Sequence, residues 1–298
     1  MFQRTDVSHA SRARRARVVA PDSVGTWQLL QLIGQGEWTD VYRSHPQRGG
    51  PQAANYAVKI LKPRYQDDPL AISLLRREAL VSGQVRHVHL NSVLSRHIDS
   101  PPYFLVSPYL VGVSLRAALH TAERLAVPQA LWIARQVAEA LDALHQGGWR
   151  HADVKPENIL IGPNGHATLL DLGFAELTRD AGPGDAIKGS PAYSSPESYS
   201  DDLPCSTASD IYGLGVTLYE SLTGRCPFVE PSASALAQAH IIDDLPDPRI
   251  LVPQLGPRIA RLLRAMLAKN ADKRPTASQL IERLVDLEID TLTERVPA

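Results

Sequence analysis

The chain predicts an α+β protein of two lobes, a strand-rich first third followed by a helix-rich remainder. Three observations predict it. Residues 27–61 hold short β-like runs broken by glycine turns. From residue 128 onward the apolar spacing is helical. Between them a strand-like stretch, Tyr103 to Leu110, runs into a connector, which puts the split near Tyr109–Gly112.

Taken in order, Trp27, Leu29 and Ile33 mark a first strand that ends at Gly34-Gln35-Gly36, and Val41-Tyr42-Arg43 resumes it. A loop from Pro46 to Ala54, with Gly49-Gly50-Pro51, leads to a third strand, Tyr56 to Leu61. Asp68-Pro69 supplies an N-cap and a proline at the first helical position, and the helix runs to about Ser82-Gly83. Leu74, Leu75 and Val81 mark its inward stripe. Glu78 falls on that stripe, and an inward carboxylate needs a partner.

Residues 128–146 form a helix with Leu131, Ala134, Val137, Ala138, Leu141 and Leu144 inward, stopped by Gly147-Gly148. Ile159-Leu160-Ile161 and Ala167 to Leu170 read as a hairpin around Pro163-Asn164-Gly165. Further helices fall near 210–223, 232–243, 256–268 and 276–289. There are no internal repeats.

The 298 residues are 44% hydrophobic with a formal net charge of −1, so nothing electrostatic points to nucleic acid or to a membrane surface. No apolar run approaches the roughly 18–20 residues of a membrane span. The N-terminus carries Arg12, Arg14, Arg15 and Arg17 without a following apolar stretch, which reads as a flexible basic tail or docking arm rather than a secretory signal. Cys205 and Cys226 make no disulfide framework, and a cytoplasmic setting is the simplest expectation unless the chain is part of a longer, membrane-anchored one. Of 31 basic residues only six are lysine: 59, 62, 155, 188, 269 and 273.

Several short motifs follow one another in fixed order. Gly34-Gln35-Gly36-Glu37-Trp38-Thr39-Asp40-Val41 sits between strands; glycines let backbone N–H groups approach phosphate oxygens, although two glycines in a strand turn also make an ordinary hairpin. Ala57-Val58-Lys59 follows on the third strand and Glu78 on the helix. Then come His151-Ala152-Asp153-Val154-Lys155-Pro156-Glu157-Asn158, Asp171-Leu172-Gly173, Ser195-Pro196-Glu197, Asp210 in Asp-Ile-Tyr-Gly-Leu-Gly-Val, and Arg274 in Asp-Lys-Arg-Pro. Over about residues 27–287 this series resembles the signature set of bacterial eukaryotic-like Ser/Thr protein kinases.

The resemblance implies a bilobal protein-kinase-like fold. Its expected parts are a flexible basic tail at 1–24, a small lobe at 25–109, a large lobe at 110–290 and a short tail at 291–298. It implies ATP as phosphoryl donor with Mg²⁺, Mn²⁺ being an alternative, protein Ser/Thr hydroxyls as acceptors, and autophosphorylation as an option. Phosphoryl transfer needs positioning and charge stabilisation more than covalent help. By resemblance, Lys59 contacts the α- and β-phosphates and pairs with Glu78. Asp171 and Asn158 hold the metal, oxygen ligands suiting a hard cation. Asp153 orients the attacking hydroxyl, and Lys155 neutralises the transferring group. Gly34 and Gly36 cover the phosphates. Val41 and Ala57 lie above adenine and Leu160 below it. Ser107 falls at the gatekeeper position, and the backbone of Pro108 and Leu110 meets the adenine edge. Glu197, Arg274 and Asp210 are scaffold residues.

The departures are as informative. Ala152 replaces the usual arginine before the catalytic Asp, which implies activity without activation-segment phosphorylation. Thr39 stands for the third glycine and stiffens the loop, while Trp38 keeps an aromatic at its tip. Leu172 replaces the usual Phe. Ser82 stands one turn after Glu78, where a large apolar residue is usual, and should loosen the inward helix. Ser190 is expected to bond Asp153 and Lys155 through its hydroxyl, and Thr178 and Ser190 are the activation-segment hydroxyls open to autophosphorylation. Two other readings remain: a pseudokinase scaffold, favoured by Ala152, Thr39 and Ser82, and a small-molecule kinase of related fold, which usually lacks the Ser195-Pro196-Glu197 segment and its Arg274 partner.

Overall fold

A computed structural model describes residues 22–48, 54–180, 190–200 and 202–293. The tail expectations for 1–21 and 294–298, the Gly49-Gly50-Pro51 turn, Lys188 and Gly189 lie outside the described residues.

The small lobe is an antiparallel six-stranded sheet: β1 (Ser23–Val24), β2 (Trp27–Gln35), β3 (Thr39–Pro46), β4 (Tyr56–Leu61), β5 (Ser95–His97) and β6 (Phe104–Pro108), in the spatial order 1-2-3-4-6-5. Ser23 and Val24, expected in the tail, instead pair with Gln28 and Trp27, and Val24 is buried. Alternation splits β4 between two small cores. Val58 packs with Tyr42, Phe104 and Val106 on the outer face, and Leu61 with Leu75, Ala79 and Leu105 on the inner one. β5 was not anticipated: its Ser-Arg-His sequence is exposed throughout and exists as a strand only by pairing with β6 at the sheet edge.

Helix α1 (Pro69–Gln84) packs on the inner face. Asp68 caps it, its carboxylate accepting from the amides of Leu70 and Ala71 at 2.9 and 3.2 Å. Leu75, Glu78 and Val81 are buried as expected, and Leu74 is half-buried. Ser82 does turn inward, but its hydroxyl accepts from the Val93 amide at 2.7 Å, so the position is bonded to the following loop rather than left slack.

The large lobe begins with β7 (Val113–Ser114) and α2 (Leu115–Ala122), the second capped by Ser114. Gly112 lies so close to the carbonyl of Ile161 that a Cβ there would approach it to 2.4 Å, which forces glycine where the connector crosses the hairpin. Helix α3 (Val127–Gln146) buries all six of the residues read as inward, and Gly148, at φ +78°, turns the chain at its end. Strand β8 (Trp149–Arg150), the hairpin β9 (Ile159–Ile161) and β10 (Ala167–Leu169), and β11 (Glu176–Leu177) follow. Helix α4 (Thr207–Thr223) is buried on every side from Ser209 to Leu222 and forms the lobe's spine. Around it lie α5 (Ala233–Ile242), α6 (Pro248–Leu251), α7 (Pro257–Met266) and α8 (Ala277–Thr293). One continuous core joins α3, α4, α7 and α8.

Candidate active site

A cleft of about 1000 Å³ separates the lobes. Strand register builds its roof. Val41 lies opposite Lys59, Ala57 opposite Ser107, and Lys59 opposite Leu105, so Val41, Ala57 and Lys59 share the inner face. The turn between β2 and β3 is closed by the Gly36 amide, which donates to the Thr39 carbonyl at 2.8 Å. Lys62 also holds it, its ammonium donating to the Gly36 carbonyl and lying 3.7 Å from Asp40. Trp38 at the tip meets Phe174 of the large lobe, ring centroids 5.9 Å apart. The back of the cleft is β6 and the connector. There the Tyr109 amide is engaged by the Asn55 carbonyl at 2.7 Å, and Pro108 and Leu110 line the cavity with Leu160 below.

Lys59 joins the lobes. Its Nζ donates to Glu78 Oε2 at 2.7 Å and to Asp171 Oδ1 at 2.9 Å. Burial pulls the ammonium down, but the two carboxylates outweigh it and hold Lys59 well above the usual lysine range. Burial pushes Asp171 up, and the Lys59 charge and hydrogen bond reverse that, leaving it below its ordinary value. Glu78 is raised, by burial first and then by the Asp171 charge, with Lys59 opposing. The two partners of the Lys59–Glu78 bond therefore shift as if differently paired. The reason is that two carboxylates share one ammonium, and the surplus negative charge belongs to the cluster.

The floor is the segment 151–158. Asp153 Oδ2 lies 2.6 Å from Lys155 Nζ and accepts from Asn158 Nδ2 at 2.9 Å. Its Oδ1 accepts from the Ser190 amide at 3.1 Å. Ser190 therefore meets Asp153 through its backbone, and only Lys155 through its hydroxyl, at 2.6 Å, which corrects the expectation that the hydroxyl bonds both. Ala152 and Asp171 have φ of +66° and +61°. Such conformations cost roughly 1–3 kcal/mol each and persist only where surroundings over-determine them. Asp210 does so at Ala152: its carboxylate accepts the amides of His151 at 2.7 Å and Ala152 at 2.8 Å, and bonds His145 Nε2 at 2.9 Å. At Asp171 the following Gly173 brings the chain against α1, where a Cβ would meet Asp171 Oδ1 at 3.2 Å and the Leu74 carbonyl at 3.4 Å.

Farther below, Arg274 grips Glu197 through both terminal nitrogens at 2.6 and 2.8 Å, and Ser209 adds a bond at 2.7 Å. Burial raises the Glu197 carboxyl, but Arg274 outweighs it and leaves it depressed.

The cleft thus gathers Gly34, Gly36, Val41, Ala57, Lys59, Glu78, Pro108, Leu110, Asp153, Lys155, Asn158, Leu160 and Asp171, and leaves Glu197, Asp210 and Arg274 in the support beneath it. Sequence reasoning missed Lys62 on the glycine turn, though the scarcity of lysine was a usable signal. It also missed His145 on Asp210 and the buried Arg150–Glu176 pair that joins β8 to β11. No local pattern announces the last two.

Among the described residues no three His, Cys, Asp or Glu side chains cluster as a self-sufficient metal site. Two oxygen side chains facing a phosphate-sized cleft are what a hard divalent cation takes from a protein when phosphates and water complete its shell. With the surplus negative charge at Asp171, the residues present fit such an ion. No described helix is long and apolar enough to cross a membrane.

The protein kinase domain family matches residues 27–284. The chain is 34% identical over 254 residues to serine/threonine-protein kinase PknD of Mycobacterium tuberculosis, covering 84% of this chain and 38% of that protein. It is 32% identical over 254 residues to PknH of Mycobacterium bovis, covering 84% and 41%, and 31% identical over 268 residues to PknB of Mycolicibacterium smegmatis, covering 87% and 42%. The chain spans about two-fifths of the length of these relatives. With the motif order, the bilobal fold and these likenesses together, the chain belongs to the protein kinase family, in its bacterial, eukaryotic-like Ser/Thr group.

Proposed function

We propose that the chain transfers the γ-phosphoryl group of ATP, bound with Mg²⁺, to Ser or Thr hydroxyls of protein acceptors. ATP and a divalent metal are general to the family. The reading is carried by one observation: an ammonium from the small lobe and a carboxylate from the large lobe meet at 2.9 Å over a cleft roofed by a glycine turn. Lys59, held by Glu78, orients the α- and β-phosphates. The backbone of Pro108 and Leu110 fixes the adenine edge between Val41, Ala57 and Leu160. Asp171 and Asn158 would hold the metal, which supplies charge neutralisation at the phosphates when bound; Mn²⁺ could take the same oxygens. Asp153 receives or orients the acceptor proton at Oδ2, and Lys155 stands beside it against charge that develops on the transferring group.

The proposed parts are a tail at 1–24, of which Ser23 and Val24 join the small-lobe sheet, lobes at 25–109 and 110–290, and a tail at 291–298, in a cytoplasmic catalytic unit. We extend the proposal to activity without activation-segment phosphorylation. Ala152 brings no cation to be neutralised, and two residues earlier the buried Arg150 is already paired with Glu176 at the start of that segment. Autophosphorylation, at Thr178 or Ser190, is part of the same reading.

The test is transfer from γ-labelled ATP to a mixed set of Ser and Thr peptides, with Asp153→Ala alongside. Transfer by the wild type before and after phosphatase treatment, lost in the variant, is expected. Nucleotide binding without transfer would instead make the chain a pseudokinase.

A further inference from the structure

Lys62 follows directly on β4, and strand alternation turns its side chain away from the face that carries Lys59. It shares the outer face of the small lobe with Asp40, and neither residue is part of the cleft wall. Lys62 nonetheless reaches alternate residues of the glycine turn. Its amide donates to the Trp38 carbonyl at 2.8 Å, and its ammonium donates to the Gly36 carbonyl and lies 3.7 Å from Asp40 Oδ1. The two side chains are only 18% and 20% exposed. Asp40 Oδ1 is buried and accepts no hydrogen bond from a described residue, so the Lys62 ammonium is the cation set against its charge.

The bond at Gly36 changes how the turn closes. In a two-residue hairpin the residues flanking the turn exchange two backbone bonds. Here the Gly36 amide donates to the Thr39 carbonyl at 2.8 Å, but the Gly36 carbonyl accepts from Lys62. A trans peptide sets its N–H opposite its C=O. A Gly36 carbonyl drawn to an ammonium on the outer face therefore turns the Glu37 amide to the other side, where residues 34–39 line the cleft. The tip of the turn is held separately, by Trp38 on Phe174 of the large lobe, and that contact depends on how the lobes sit. The Lys62 contacts lie within the small lobe, three residues along from Lys59, and keep the turn in fixed relation to the Lys59 ammonium.

We propose that Lys62 is a positioning residue for the triphosphate: seated by Asp40, it aims the Glu37 amide at a phosphate oxygen from outside the cleft. The inference rests on the phosphoryl-transfer reading above. Lys62 acts through the turn and does not touch the ligand. That separates it from a cation that merely attracts ATP. Asp40 masks an attracting cation, and its removal would strengthen ATP binding. Asp40 seats a positioning one, and its removal weakens ATP binding.

The experiment measures binding of ATP with Mg²⁺, and of adenosine, by titration calorimetry. The proteins are wild type, Lys62→Met, Lys62→Arg, Asp40→Asn and Lys62→Met/Asp40→Asn. Adenosine lacks phosphates and reports whether the rest of the cleft is intact. Lys62→Met is expected to weaken ATP about tenfold, the scale of one charge-assisted hydrogen bond, and to leave adenosine within about twofold. Lys62→Arg keeps a long cationic donor and is expected to retain most of the affinity. Asp40→Asn is expected to weaken ATP as well, and the double variant to bind no worse than Lys62→Met, because Asp40 acts through Lys62. Where Lys62→Met does not fold, the sign of the Asp40→Asn effect decides alone. Equal losses for ATP and adenosine overturn the inference, as does unchanged ATP binding in Lys62→Met or tighter ATP binding in Asp40→Asn. A wild type that binds ATP and transfers to no peptide would strike the proposed function, and the binding series would still decide the role of Lys62. A wild type that binds neither ligand would remove both.

Discussion

Arg274, which is buried, and Lys59, which is half-buried, are both cations held by carboxylates, and they are held in opposite ways. The Arg274 side chain is 0% exposed and that of Glu197 4%; the two are doubly bonded to each other, with Ser209 filling a further lone pair. Charge and hydrogen bonding are balanced within one lobe. Lys59 is 19% exposed, spans two lobes, and is divided between Glu78 and a 36% exposed Asp171. That cluster keeps a surplus negative charge and an open side. A closed pair is what a scaffold needs, and an open one leaves room for phosphates and a cation.

The comparison can be broken most forcefully at Arg274. Arg274→Ala strands the Glu197 charge and should cost about 3–5 kcal/mol of stability, read from urea unfolding. A loss under about 1 kcal/mol, the size of a surface pair, would erase the contrast. Lys59→Met should instead lower kcat/KM about 10²–10³-fold, the scale for losing one preorganised charge-stabilising donor, with a smaller loss of stability than Arg274→Ala. Equal stability losses would make both pairs scaffold.

A pH titration sharpens the scaffold side. His240 on α5 is fully buried, bonded through Nδ1 to Tyr212 at 2.9 Å and packed by Tyr199 and Phe228. Burial, then the Lys269 charge, lowers it from 6.5 to about 4. Lys269 faces it from beyond α7, donating to the carbonyls of Ala239 and His240. Between those two pH values the unfolded chain binds a proton that the folded one refuses. Stability is thus full above pH 6.5, declines as pH falls to about 4, and levels off below, a change on the order of 3 kcal/mol. His240→Asn should flatten that window and leave the lower one, where the depressed Glu197 takes up its proton. An unchanged profile would show that His240 does not titrate with folding. The smallest effect is at Ser82: Ser82→Ala strips the Val93 amide of its partner and should cost about 1 kcal/mol, read by thermal melting.

Much of this was legible in residue order. The Asp68-Pro69 cap, the inward stripe of α3 and the hairpin around Asn164-Gly165 follow from local rules, and each stands where those rules place it. Glu78 reads from its helix position alone as an inward carboxylate in want of a partner, and Lys59 is that partner. What escaped notice was short or non-local. β5, β8 and β11 have no alternation of their own and are strands because something pairs with them. Ser82 reads as a weakness from sequence alone because its partner, Val93, lies in another element. Arg116 bonds Glu157, Glu220 and Tyr193, which lie in three other segments, and no spacing rule reaches across them.

By itself the amino-acid sequence determined which side chains this protein has for handling a triphosphate and in what order the chain delivers them, because helix caps, turn glycines and apolar periods act over a few residues. Only the tertiary structure decided which charges share a partner and which are closed off. Hydrogen bonds and Coulomb attraction depend on distances between segments that lie over a hundred residues apart, as Lys59 and Asp171 do, and on how much water is excluded around them.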